Sequence, residues 1–83
     1  MPEYQYLVSR RVLAALDAAD EAERQRILVT LDRLAAHPEQ PFDFQERGLS
    51  GEEVRCKWFG PWLVRYRVDS PVRTVIVIDC QWT

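Results

Sequence analysis

Arg55, Lys57, Arg65, Arg67 and Arg73 crowd into residues 54–83, where Asp69 and Asp79 are the only acidic side chains. Arg55 and Lys57 are two positions apart, as are Arg65 and Arg67, and a spacing of two places side chains on one face of a β-strand. Cations gathered on such a face hold phosphate oxygens or stabilise charge developing on them. Arg55, Lys57 and Arg65 are therefore the candidates for holding and polarising a phosphate. Arg67, Arg73 and Trp82 extend them into a target-binding surface, the tryptophan because an exposed indole stacks on a nucleobase. Groups able to move a proton are scarce. His37 ends a helix, where the dipole favours a cation, and Tyr66 falls on the apolar side of its strand as a core tyrosine whose hydroxyl needs a partner. Cys56 and Cys80, with a single histidine and no CxxC spacing, make no zinc ligand set and read as buried free thiols, so neither metal nor cofactor is expected.

The charge balance is uneven. The formal net charge is −2 and the pI about 5.3, yet residues 1–53 hold six basic and eleven acidic side chains and residues 54–83 five basic and two acidic, a local net of +3. Such a field acts locally, because salt screens it over about 10 Å. The acidic total counts against a general nucleic-acid binder. With 83 residues the chain is expected to be one domain over residues 1–83, small enough that a homodimer or a protein partner is expected on energetic grounds. Hydrophobic residues at 47% and charged residues at 29% describe a folding chain. No apolar run approaches the roughly 20 residues of a membrane span, and MPEYQYLVSRR has no secretory pattern, so a cytoplasmic location without membrane contact is expected.

The elements that must position the cations follow from periodicity. EYQYLV, residues 3–8, alternates as a first strand. Ser9 is placed to cap a helix over RRVLAALDA with Val12, Leu13 and Leu16 inward. Asp20 starts a second helix, with Glu23 completing a capping-box pattern; Ile27, Leu28, Leu31, Leu34 and Ala35 form its apolar face, and Pro38 ends it. PEQPFDFQERGLSGEE is a loop, with a short extended piece around residues 42–44, pinned by Phe42, Phe44 and Leu49. Strands follow at VRCKWF, WLVRYRV and RTVIVIDC, separated by turns at Gly60-Pro61 and Asp69-Ser70-Pro71. Val54, Cys56 and Trp58 oppose Arg55 and Lys57; Trp62, Val64, Tyr66 and Val68 oppose Leu63, Arg65 and Arg67. The expectation is a basic outer face shared by both strands. The last strand is apolar on both sides and lies between neighbours, with the first strand beside it; Asp79 within it needs a partner such as Arg65 or Arg73. The fold class is α+β, a two-layer β-α-α-β-β-β arrangement with a helical hairpin on one face of a mostly antiparallel four-stranded sheet.

That order, the helix ending RILVTLDRLAAHP, the loop element GLSG and the closing WLVRYRVDSPVRTVIVIDC together resemble the RelE/ParE family of toxins from bacterial type II toxin-antitoxin modules, over nearly the whole chain. The resemblance implies a small toxin neutralised by a cognate antitoxin that wraps around it. RelE-like members cut messenger RNA in the ribosomal A site with basic residues on the sheet face, whereas ParE-like members inhibit DNA gyrase. Arg55 and Lys57 fall where the nucleases carry basic residues. The nucleases' next arginine is Leu63 here, with Arg65 two residues along, and their later acid-base groups have no counterpart in QWT, which leaves Tyr66. The resemblance therefore implies ParE-like gyrase inhibition or noncatalytic binding first, and ribosome-dependent mRNA cleavage by Arg55, Lys57 and Arg65 as the alternative; a domain retaining only its interaction surface is a third reading.

Overall fold

A computed structural model describes residues 4–82. Strand β1 (Gln5–Val8) leads into helices α1 (Arg10–Ala18) and α2 (Glu21–Ala36), followed by strands β2 (Phe44–Arg47), β3 (Glu53–Phe59), β4 (Trp62–Asp69) and β5 (Thr74–Trp82). Glu3, assigned to the first strand from its sequence, lies outside the described residues. The five strands form one sheet in the order β1-β5-β4-β3-β2. Among the described residues only β1 and β5 run parallel; the other pairs are antiparallel. The predicted sheet of four strands thus gains a fifth. β2 pairs Phe44 with Cys56 and Arg47 with Glu53, and its four exposed residues carry no alternation that would mark a strand.

The two helices pack on β1 and β5. Val12, Ile27, Leu31 and Leu34 bury themselves against Val64, Tyr66, Val75, Val77 and Cys80, which forms the main core. Leu13, expected inward, is half exposed; the short α1 reaches the sheet through Val12 and Leu16, and Leu13 turns about 100° away from Val12 around the helix axis. Both N-caps form as read, with the Ser9 hydroxyl accepting from Val12 N and Asp20 Oδ1 accepting from Glu23 N at 2.8 Å. The Glu23 side chain does not return to Asp20. It accepts from Trp62 Nε1 at 2.8 Å and pairs with Arg26, which ties the start of α2 to β4. Arg24 closes the helical hairpin by donating to the Leu16 and Ala19 carbonyls, both at 3.0 Å, groups that the end of α1 leaves unsatisfied. Leu49, expected to pin the loop, is fully exposed.

A β-bulge interrupts the β4–β5 ladder: Arg65 faces Asp79 while Tyr66 faces Val77, so Ile78 is the extra residue. Its carbonyl accepts the Ser9 hydroxyl, which satisfies a group that a bulge takes out of the ladder. The bulge also resets the alternation of β5. Asp79 would otherwise share a side with Val75 and Val77; here it lies across from Arg65.

Candidate functional site

The two-residue Gly60-Pro61 turn pairs Phe59 with Trp62, and every pairing back along the hairpin follows from it: Lys57 with Val64, Cys56 with Arg65, Arg55 with Tyr66. Cross-strand partners share a face. Arg55 and Lys57 therefore stand on the side of Val64 and Tyr66, where the helices dock, and Arg65 and Arg67 on the other. The expected basic face common to both strands does not form. Each strand alternates as read, but the apolar side of β3 meets the charged side of β4. The two-residue turn length is the signal in the sequence that fixes this parity, and matching the strand faces by polarity alone misses it.

On the helix side, the two helices cover β1 and β5 and leave β3 to the chain between α2 and β2. Arg55 Nη1 donates to the Pro38 carbonyl at 3.2 Å, its Nε pairs with Glu53 at 3.2 Å, and its guanidinium lies 5.2 Å from the centre of the Phe42 ring. Lys57 Nζ donates to the Pro41 carbonyl at 2.6 Å and sits 5.6 Å from the Phe59 ring. Tyr66 is fully buried, and among the described residues its hydroxyl has no hydrogen-bond partner. Burial raises its pKa above 10.0, with Arg55 acting to lower it and Cys56 and Asp43 to raise it. At neutral pH it can donate a hydrogen bond but not accept a proton.

On the opposite face Arg65 is committed to internal partners. It contacts Glu46 at 3.0 Å, Gln81 at 3.0 Å and Asp79 at 3.5 Å, joining β2, β4 and β5. Beside it Val54, Cys56, Leu63 and Ile78 form a second apolar cluster. Burial pushes the Cys56 thiol up to about 11, with Glu46 adding to the rise, and pushes the Cys80 thiol up to about 11, with Asp79 adding. Arg67 faces Ile76 on this side. Arg73 is exposed in the turn before β5 at φ 49°, a left-handed conformation uncommon outside glycine. Trp82 stands on the helix side, half exposed, its ring edge-on to Trp62 at 5.2 Å. The six sequence-derived site residues thus divide: Arg55, Lys57 and Trp82 on one side, Arg65 and Arg67 on the other, and Arg73 at the rim. Near Trp62, an open cleft of about 540 Å³ separates α2 from the β3–β4 turn, lined by Arg26, Val29, Arg33, Phe59 and Trp62 among others. Among the described residues, no group of three histidine, cysteine or carboxylate side chains is placed to hold a metal ion.

The backbone superposes on a chain of the archaeal RelE-RelB complex from Pyrococcus horikoshii with a TM-score of 0.74 at 20% identity, covering 98% of this chain and 96% of that one. It matches a chain of the toxin-antitoxin complex RelBE2 from Mycobacterium tuberculosis with a TM-score of 0.81 at 16% identity, covering 99% and 100%. The fold is RelE-like. No protein-family profile and no curated protein sequence matches the chain. The β-α-α-β-β-β order read from the sequence is present, widened by β2 at the sheet's far edge, and the parallel direction of the β1–β5 pair is supplied by the structure.

Proposed function

We propose that the chain is the toxin of a type II toxin-antitoxin pair, held inactive by a cognate antitoxin protein and acting on a macromolecular target. The observation that carries this reading is end-to-end correspondence with a chain of a toxin-antitoxin complex, at a TM-score of 0.81 over 99% of this chain and 100% of the other. The test is inducible expression in a bacterial host, alone and together with the protein encoded in the neighbouring reading frame. Growth arrest by the chain alone, relieved by the neighbour, supports the reading; harmless expression alone removes it. Sedimentation of the pair distinguishes a homodimeric toxin from a one-to-one complex.

On the target, the division of the cations supports action by binding, as in ParE-like inhibition of DNA gyrase or noncatalytic occupation of a target. Arg65 is held by Glu46, Gln81 and Asp79, and Leu63, at the position where the nucleases carry an arginine, is buried in an apolar cluster. Inhibition of gyrase supercoiling by the purified chain checks this. The second reading, ribosome-dependent cleavage of mRNA, is favoured by one observation: Arg55, Lys57 and Tyr66 come from neighbouring strands to the same side of the sheet. Cleavage of a reporter mRNA on translating ribosomes, lost in the Arg55→Ala, Lys57→Ala double variant, supports it.

A further inference from the structure

Two cations on the helix side of β3 are bonded to backbone carbonyls of one crossing segment: Lys57 to Pro41 and Arg55 to Pro38. Arg55 also has Glu53, whose side chain is half exposed; among the described residues no carboxylate pairs with Lys57. Residues 38–43 thus lie over both cations as a strap. One end is anchored where buried Pro38 follows His37, the C-cap of α2. The other is anchored by Asp43, whose N–H donates to the Cys56 carbonyl at 2.9 Å and whose Oδ2 accepts from Trp58 N at 2.8 Å. Between the anchors the strap makes no strand or helix, and Pro41, Phe42 and Asp43 are exposed. Beneath it, Tyr66 is the cross-strand partner of Arg55 and keeps a fully buried hydroxyl unpaired.

The two cations are satisfied by the strap, but an anion in its place would satisfy them better and would also pair the Tyr66 hydroxyl. A carbonyl offers a cation a neutral acceptor, whereas a phosphate oxygen offers a charged one and a stronger, shorter bond. A buried hydroxyl without a partner is penalised, and the same hydroxyl donating to an anion is rewarded. We propose that residues 38–43 are a displaceable strap over a phosphodiester site formed by Arg55, Lys57 and the Tyr66 hydroxyl, and that an RNA backbone takes the place of the two proline carbonyls. This rests on the RNA-directed reading above. Phe42, whose ring lies against Arg55, closes the site when the strap is down. Arg65 and Arg67 have no part in it, because they face the other way.

The experiment is an NMR titration of the full chain with inorganic phosphate and then with a 2′-O-methyl hexanucleotide, which binds as RNA does but cannot be cleaved by its own hydroxyl. Binding is expected to shift the signals of residues 38–43 and Tyr66 and to accelerate hydrogen exchange at the Asp43 N–H. Lys57→Gln is expected to weaken hexanucleotide binding about tenfold, the scale of one hydrogen bond to a charged group. Tyr66→Phe is expected to weaken it several-fold while leaving the thermal midpoint equal or higher, because the hydroxyl it removes has no partner in the free chain. Phe42→Ala, which loosens the strap without changing charge, is expected to tighten it. Unaltered affinity in Tyr66→Phe and Lys57→Gln, responses confined to Arg67 and Arg73, a still-protected Asp43 N–H in the bound state, or no binding of either probe each overturns the proposal. Reporter-mRNA cleavage is scored separately. Cleavage with an unmoved strap defeats the strap and leaves the RNA reading; hexanucleotide bound at Arg55, Lys57 and Tyr66 with the strap displaced, but no cleavage of the reporter, defeats the RNA-cleavage reading and leaves the site.

Discussion

Leu63 packs with Val54, Cys56 and Ile78 on the face away from the helices and is only 5% exposed. Leu63→Ala is expected to cost about 2–4 kcal/mol, the usual range for emptying a buried leucine site, read from the urea midpoint at constant m-value. Two arginines on that face should then separate cleanly. Arg65→Ala strands the partly buried Asp79 and removes a link among β2, β4 and β5, whereas Arg67 makes no ion pair among the described residues. Denaturation midpoints should fall clearly for Arg65→Ala and hardly move for Arg67→Ala; equal effects would show that the network carries no stability. The two thiols supply a pH dependence. Their folded pKa values, raised from 9.0 to about 11 by burial, mean that folding favours the neutral thiol. That contribution is whole below pH 9 and is lost as the pH rises through 11. Stability measured across this window should fall, and the fall should flatten in the Cys56→Ala, Cys80→Ala double variant.

At the scale of elements, joints between helices and sheet are made by a few polar side chains. Ser9 caps α1 and also donates to the bulge carbonyl of Ile78, so Ser9→Ala removes a cap and a bulge partner together. A loss of about 1–2 kcal/mol is expected, larger than for Asp20→Ala, whose side chain accepts only from Glu23 N among the described residues; chemical denaturation of the two variants side by side checks the order. Arg24 works differently. It donates to carbonyls at the end of α1 from within α2, and Arg24→Ala should loosen the hairpin, seen as faster amide exchange at Ala19, whose N–H bonds to the Ala15 and Leu16 carbonyls. The caps were legible because a single side chain one turn ahead of an apolar run suffices to mark them. Arg24 was not, since its partners are main-chain atoms eight and five residues away and nothing in an arginine's identity names a carbonyl.

For the whole molecule, the fold is matched end to end by chains of two toxin-antitoxin complexes, and the proposed pairing with an antitoxin has a thermodynamic consequence. If the antitoxin binds the folded chain alone, the chain's melting temperature should rise with antitoxin concentration. At a hundredfold excess over Kd the stabilisation is about 2.7 kcal/mol, and a melting temperature indifferent to the neighbouring protein would dissociate the pair.

Periodicity, with Ser9 and Asp20 marking the caps, determined the helices, the three C-terminal strands and the apolar side of each, because alternation and the 3.6-residue repeat are written in local order. It also placed β5 between β1 and β4, since a strand apolar on both sides suits a position flanked by neighbours and covered on at least one face. Three features were decided only in three dimensions. β2 exists because β3 offers it an edge; its own residues would suit a loop. Asp79 faces Arg65 because a single extra residue, Ile78, shifts the ladder. Most consequentially, Arg55 and Lys57 part from Arg65 because pairing across Gly60-Pro61 joins odd positions to even ones. Which side of a strand is charged is a property of that strand, but which charged sides coincide is a property of the register between strands.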